Sequence, residues 1–134
     1  MTLVQMQPRP VSAGLLHTRV AEVMDASGPQ VCDDMSVEVA LSVMTAARTH
    51  RLVVCDQDGQ CTGLVTRAEL AAVRAGSAYT DRVRLRDLLG DHRLFTSPVT
   101  TMAEAERAMR TRRLGALPVV DGQGCALGVF ALSS

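Results

Sequence analysis

Shifted by 65 positions against itself, the sequence repeats. Ala40 falls on Ala105, Met44 on Met109, Arg48 on Arg113, Leu52 on Leu117, Val54 on Val119, Asp56 on Asp121, Gly59 on Gly124 and Gly63 on Gly128, with no gap. Upstream, Val20-Ala-Glu-Val-Met24 lies over Leu85-Arg-Asp-Leu-Leu89. Such a repeat restricts the chain to two copies of one supersecondary unit. Neither copy is large enough to bury both faces of a small sheet, so the copies must share a core.

The hydrophobic period changes in the same order in both copies. Val37, Ala40, Leu41 and Met44 recur at helical spacing behind Ser36, an N-cap residue type. In the second copy Thr101-Met-Ala-Glu104 is a capping-box pattern opening a helix through Met109, and Gly115 is expected to close it. Next come two short apolar runs around a turn: Arg51 to Cys55 and Cys61 to Val65 flank Asp56-Gln-Asp-Gly59, and Ala116 to Val120 and Cys125 to Phe130 flank Asp121-Gly-Gln-Gly124. Each set reads as a hairpin. Stretches near Gln30 to Cys32 and Leu94 to Thr96 are expected to add a strand, and Arg67 to Ala75 a helix stopped by Gly76-Ser77. The expected fold is α/β (α+β). Each copy reads strand, helix, strand, strand, with an extra helix in the first, and the two pack as a pseudo-two-fold pair. The expected organisation is a flexible segment over residues 1–17, one copy over 18–76, a linker over 77–83 and the second copy over 84–134.

Composition narrows the functions available. Apolar residues make up 47% of the 134, yet only Phe95, Phe130 and Tyr79 are aromatic, so the core must be aliphatic and thioether. Met35, Met44, Met102 and Met109 read as core filler. Fourteen basic and fourteen acidic residues cancel, which argues against non-specific binding to nucleic acid or an anionic membrane. All fourteen basic residues are arginine, and Lys, Asn and Ile are missing, a bias of GC-rich bacterial genomes. Met1 to Gly14 has neither the basic start nor the apolar run of a signal peptide, and no stretch reaches the length of a membrane span. A cytoplasmic location is therefore expected, with Cys32, Cys55, Cys61 and Cys125 reduced.

These residues resemble the cystathionine-β-synthase (CBS) domain pair, or Bateman module. The resemblance rests on Leu117-Pro118-Val119-Val120-Asp121, a glycine turn and Gly128-Val129-Phe130 in the second copy. In the first it rests on Leu52-Val53-Val54-Cys55-Asp56, Gly59 and Gly63-Leu64-Val65-Thr66-Arg67-Ala68-Glu69-Leu70. The resemblance implies a regulatory module that binds an adenosine-containing ligand (AMP, ATP or S-adenosylmethionine) in the cleft between the copies and signals to a separate partner protein. No cofactor is required and no catalysis is expected. In the family a Thr faces phosphate and an Asp holds the ribose at the end of the last strand; here Thr66 fills the first position and Glu69 the second. The adenine is implied to lie near Val31, Cys32 and Asp33 and near Arg51, Leu52 and Val53. In the second copy Ala131 and Ser134 stand at the Thr and Asp positions, so at most one good site per chain is expected. The family continues into a helix where this chain stops, and the edge so left reads as a homodimer interface. The alternative is a ligand-free CBS scaffold for dimerisation, supported by the changed second motif and by Val53 in place of the usual Pro.

Other residue sets read more plainly. Thr66-x-x-Glu69 is also a capping box. His50, Cys55 and Cys61 lack the paired spacing of a zinc site, and no metal site is expected. Asp56-Gln-Asp-Gly59 has its Gly too early for a calcium loop, so it is a turn. Arg107, Arg110 and Arg113 read as a solvated helix face, with Arg112 to one side. His17, His50 and His92 are scattered, and no nucleophile sits in a catalytic motif.

Overall fold

A computed structural model describes residues 17–89 and 94–131. The expected flexible segment, except for its last residue, lies outside them, as do His92 and Ser134. Helix α1 (Val37–Ala47) starts where the Ser36 hydroxyl accepts from the Val39 amide at 3.2 Å, and it buries Val37, Ala40, Leu41 and Met44. Strands β3 (Arg51–Cys55) and β4 (Cys61–Thr66) pair antiparallel, and helix α2 (Arg67–Arg74) follows β4 without a break. Two short strands precede α1: β1 (Asp25–Ala26) and β2 (Gln30–Cys32). The second half runs α3 (Leu85–Leu89), α4 (Met102–Arg112), β5 (Ala116–Val120) and β6 (Ala126–Ala131). At the start of α4 the Thr101 hydroxyl and amide hydrogen-bond the Glu104 carboxylate, which holds that carboxyl below its ordinary range. In both hairpin turns the aspartate Oδ1 accepts two amides: Asp58 and Gln60 for Asp56, Gln123 and Cys125 for Asp121. That is the turn chemistry read from the sequence.

The strands form two three-stranded sheets, ordered β2-β3-β4 and β1-β6-β5. Alternation along β3 sends Leu52 and Val54 under the helices with Val37, Met44 and Leu70, while Val53 and Cys55 face the other sheet. There they meet Cys61, Val120 and Val129, and this shared layer joins the halves. The second helical layer packs Ala105 and Met109 on Leu117, Val119 and Phe130. The α/β pair of sheets packed face to face under helices is the expected architecture.

The packing units, however, are not the sequence repeats, because each copy gives its leading segment to the other. Val20 is fully buried against Met109 and Phe130 of the second copy, and Leu85 against Val37 and Leu70 of the first. The hydrogen bonds that dock them repeat at the same 65-residue offset. Val20 N donates to Thr100 O and Ala21 N to Pro98 O, as Leu85 N donates to Met35 O and Arg86 N to Asp33 O. Each long helix also starts under the other copy's chain, with Val37 N on Val83 O and Met102 N on Thr18 O. Strand β1 continues the exchange by pairing with β6, Ala26 opposite Gly128, where a Cβ would collide with the Asp25 carbonyl.

Two further departures have local causes. The strand expected at Leu94 to Thr96 is reduced to a single parallel bridge from Thr96 to Val119, the counterpart of Val31 pairing with Val54. In the first copy Val53 N donates to Pro29 O; the matching position in β5 is Pro118, which has no N–H to give. Gly115 does not close α4. Arg113 does, with φ 57° in the left-handed region, and Arg48 closes α1 in the same way with φ 54°. The following amides, Thr49 N and Leu114 N, reach back to Met44 O and Met109 O, so both helices end in a Schellman turn built on arginine rather than glycine.

Candidate functional site: a cleft between the halves

At one end of the shared layer the end of β4 and the end of α4 frame a cleft of about 750 Å³. Thr66 stands at the strand-to-helix junction because it both ends β4 and caps α2. Its hydroxyl accepts from Glu69 N at 3.2 Å and lies 3.1 Å from Glu69 Oε1, which also accepts from Thr66 N at 2.9 Å. The capping box read from the sequence is therefore closed, and it turns the Glu69 carboxylate to the mouth of the cleft. The Arg67 amide is spent on His50 O at 2.7 Å, which ties the start of α2 to the start of β3.

Cations gather around this junction. Arg51 and Arg67 come from the first half and Arg113 from the second, with His50 beside them. Arg51 is held 3.3 Å from Asp25, a half-exposed pair. Arg67 reaches Thr45 Oγ1 at 3.3 Å. A dianionic group placed here would meet the side chains of Arg51 and Arg113 and the positive end of a helix. Arg113 enters the cleft because its left-handed backbone takes it off the face that carries Arg107 and Arg110. Those two are exposed, and Arg110 pairs with Glu106 at 3.2 Å, as expected for a solvated face.

The other end of the cleft is apolar. Leu64, Leu114 and Ala116 continue from the cationic end into a second hollow of about 520 Å³ walled mainly by Leu88, Leu89, Leu94 and Pro118, with Arg112 also lining it. Glu69 borders both openings. The site is thus a charged cleft that adjoins an apolar hollow with a carboxylate between them, each of the two within the size range of small-molecule sites.

Of the residues singled out from the sequence, Thr66, Glu69 and Arg51 meet in this groove. Leu52 and Val53 are fully buried on opposite faces of β3, one under the helices and one between the sheets. Val31, Cys32 and Asp33 lie along β2 and just beyond it, on the far side of β3 from β4, and none of them lines the groove. Asp33 instead supports the leading segment of the second copy, taking Arg86 N on its carbonyl. Residues the sequence did not assign to a ligand site supply much of the wall: His50, Arg67, Arg113, Leu114 and, through the exchange, Leu88 and Leu89. Their signal was the repeat itself, since a cleft on a pseudo-two-fold must draw on both copies. Ala131 ends β6 half-buried, with no hydroxyl to offer where Thr66 has one. Among the described residues no group of three His, Cys, Asp or Glu side chains is arranged to hold a metal, and no helix is long and apolar enough to cross a membrane.

Comparison with known proteins bears on the fold. The sequence pattern of the CBS domain matches residues 20–76 and again 85–134. A homoserine O-acetyltransferase of Methanosphaerula palustris is 27% identical over 122 residues, which are 90% of this chain and 24% of the relative. The chain spans about a quarter of the length of such curated relatives. Among solved structures, CBSX2 in complex with AMP superposes with a TM-score of 0.70 at 23% identity, covering 85% of this chain and 90% of that one. The cytosolic domain of the Mg2+ channel MgtE in complex with ATP gives 0.71 at 21% identity, covering 86% and 46%.

Proposed function

The chain belongs to the CBS domain family, and from that premise we propose that it is a regulatory module that binds one adenosine-containing ligand in the groove between its halves and passes occupancy to a separate protein. The observation that carries this reading is the two-ended groove. A nucleotide or S-adenosylmethionine has a flat aromatic base, a diol and a charged end in that order, and the leucine hollow, the Glu69 carboxylate and the arginine cluster follow the same order. Glu69 Oε1 is engaged by the cap, which leaves Oε2 for ribose hydroxyls. The arginines favour a phosphate-bearing ligand over a sulfonium. The AMP and ATP complexes of CBSX2 and MgtE support the same class of ligand. As in the sequence reading, the assembly is proposed to be a homodimer and its location cytoplasmic.

The ligand-free scaffold draws support from the same cap, since Thr66 and Glu69 satisfy each other without a ligand. A thermal-shift series with AMP, ADP, ATP, S-adenosylmethionine and NAD(H), followed by calorimetry, separates the two. Ligand at about a hundred times its dissociation constant stabilises the protein by about 2.7 kcal/mol, a shift of several degrees for a domain of this size. A shift with one site per chain, larger for AMP than for adenosine, is the expected result. No shift with any of them, on folded protein, overturns the sensor reading in favour of the scaffold.

A further inference from the structure

Three of the four cysteines lie in register across one sheet. Cys32 on β2 is opposite Cys55 on β3, and Cys55 is opposite Cys61 on β4. The second pairing has the geometry of a cross-strand link. The turn between the strands is closed by Asp56 N donating to Gln60 O at 2.8 Å, which puts Cys55 and Cys61 at a non-hydrogen-bonded position of the ladder. At regular positions of this kind opposed Cα atoms are about 4.5 Å apart, inside the roughly 4.4–6.8 Å range of disulfides, and here the pair sits beside the register shift at Val54/Cys55. Both side chains point into the layer between the sheets, with Val53, Val120 and Val129. Cys61, itself only 2% exposed, borders a hollow of about 350 Å³ with Gln60, Phe95 and Asp121.

We propose that Cys55 and Cys61 form a redox site that hydrogen peroxide converts from dithiol to disulfide. Peroxide reaches Cys61 through the hollow. The Cys61 sulfur attacks one peroxide oxygen, the O–O bond breaks, and a sulfenic acid and a first water form. The Cys55 sulfur then attacks the Cys61 sulfur, the S–O bond breaks and the S–S bond forms. The departing hydroxide takes the Cys55 proton as a second water. Two thiols lose one electron each and one peroxide gains two. Burial, with Asp56 nearby, raises the Cys55 pKa and keeps it a thiol, which leaves the first attack on peroxide to Cys61. The link would lie in the layer that joins the halves, between the two strands whose other ends, at Arg51 and Thr66, line the groove.

Trypsin cuts after Arg51 and Arg67, so both cysteines fall on the peptide 52–67. The test treats the full reduced chain with hydrogen peroxide, alkylates the remaining thiols, digests without reductant and weighs the peptides. The expected product is peptide 52–67 unalkylated and lighter by two hydrogens, with Cys32 and Cys125 alkylated as before. In Cys55→Ser the sulfenic acid should persist on Cys61 and be captured there by dimedone, which also tests the order of attack if the disulfide proves slow to appear. Two alkyl groups on peptide 52–67 after peroxide, a link from it to the peptide of Cys32 or Cys125, or dimedone absent from Cys61 would each overturn the proposal.

Discussion

The two halves have nearly the same backbone and different chemistry. Each begins with a leading segment docked on the other half by the same hydrogen bonds. Each has a long helix capped by a hydroxyl and closed by a left-handed arginine, and a hairpin with a register shift one residue before its end, at Val54/Cys55 and Val119/Val120. At the last strand the likeness stops. β4 ends in Thr66 and turns into α2 with Glu69 in its first turn; β6 ends in Ala131. The difference shows that scaffold and site answer to separate constraints. A changed residue in the shared layer or at a docking point would disturb both halves, whereas a changed residue at a strand end removes one contact to a ligand and leaves the fold standing.

The largest test of this comparison removes a leading segment's anchor. Leu85→Ala is expected to cost about 2–5 kcal/mol and Val20→Ala about 2 kcal/mol, from lost burial plus the cavity left behind. In urea unfolding followed by both circular dichroism and tyrosine fluorescence, each variant should keep a single coincident transition, because either anchor belongs to both halves. Separate transitions would mean that the halves are independent and that the comparison is between two domains rather than two faces of one.

Next in size is the strand end itself. Thr66→Ala is expected to weaken AMP binding by ten- to a hundred-fold, equivalent to about 1.5–3 kcal/mol. The lost cap should lower stability by only about 1 kcal/mol. Calorimetry and melting on the same sample compare the two effects directly. Unchanged affinity with lowered stability would reduce Thr66 to a cap and erase the chemical difference between the halves.

The smallest effect concerns the paired arginine turns. A left-handed non-glycine residue costs about 1–2 kcal/mol, and glycine gives back about 0.5–1 kcal/mol of that in chain entropy. Arg48→Gly and Arg113→Gly should therefore each stabilise the protein by about 0.5–1 kcal/mol. Only Arg113→Gly should also weaken AMP, since Arg113 lines the groove and Arg48 does not. Equal loss of affinity in both would show that the arginines act through long-range field rather than contact.

Much of this fold could be read in the sequence because the repeat, the caps and the turns are local signals. Ser36, Thr101, Asp56 and Asp121 announce their hydrogen bonds within three or four residues of themselves. The exchange of leading segments could not be read, and the reason is physical: Val20 and Leu85 are apolar residues of similar size, and the identical repeat offset is satisfied whether each docks on its own copy or on the other. The groove was half legible for the same cause. Thr66, Glu69 and Arg51 follow from motif position, but Leu88, Leu89 and Arg113 arrive through the exchange and through a backbone turn that arginine seldom takes. Pro118 was visible in the sequence, but its effect depended on knowing that Val53 N donates to Pro29 O in the other half.

The crossed leading segments also bear on how such a molecule can arise. A single copy released from its twin would leave the floor beneath its long helix unfilled, while its own leading segment had nothing to dock on. Two such single copies could repair each other by swapping those segments, and the product would have the same interior as the covalent pair. A chain of this design therefore reads as a domain-swapped dimer whose two subunits were fused head to tail.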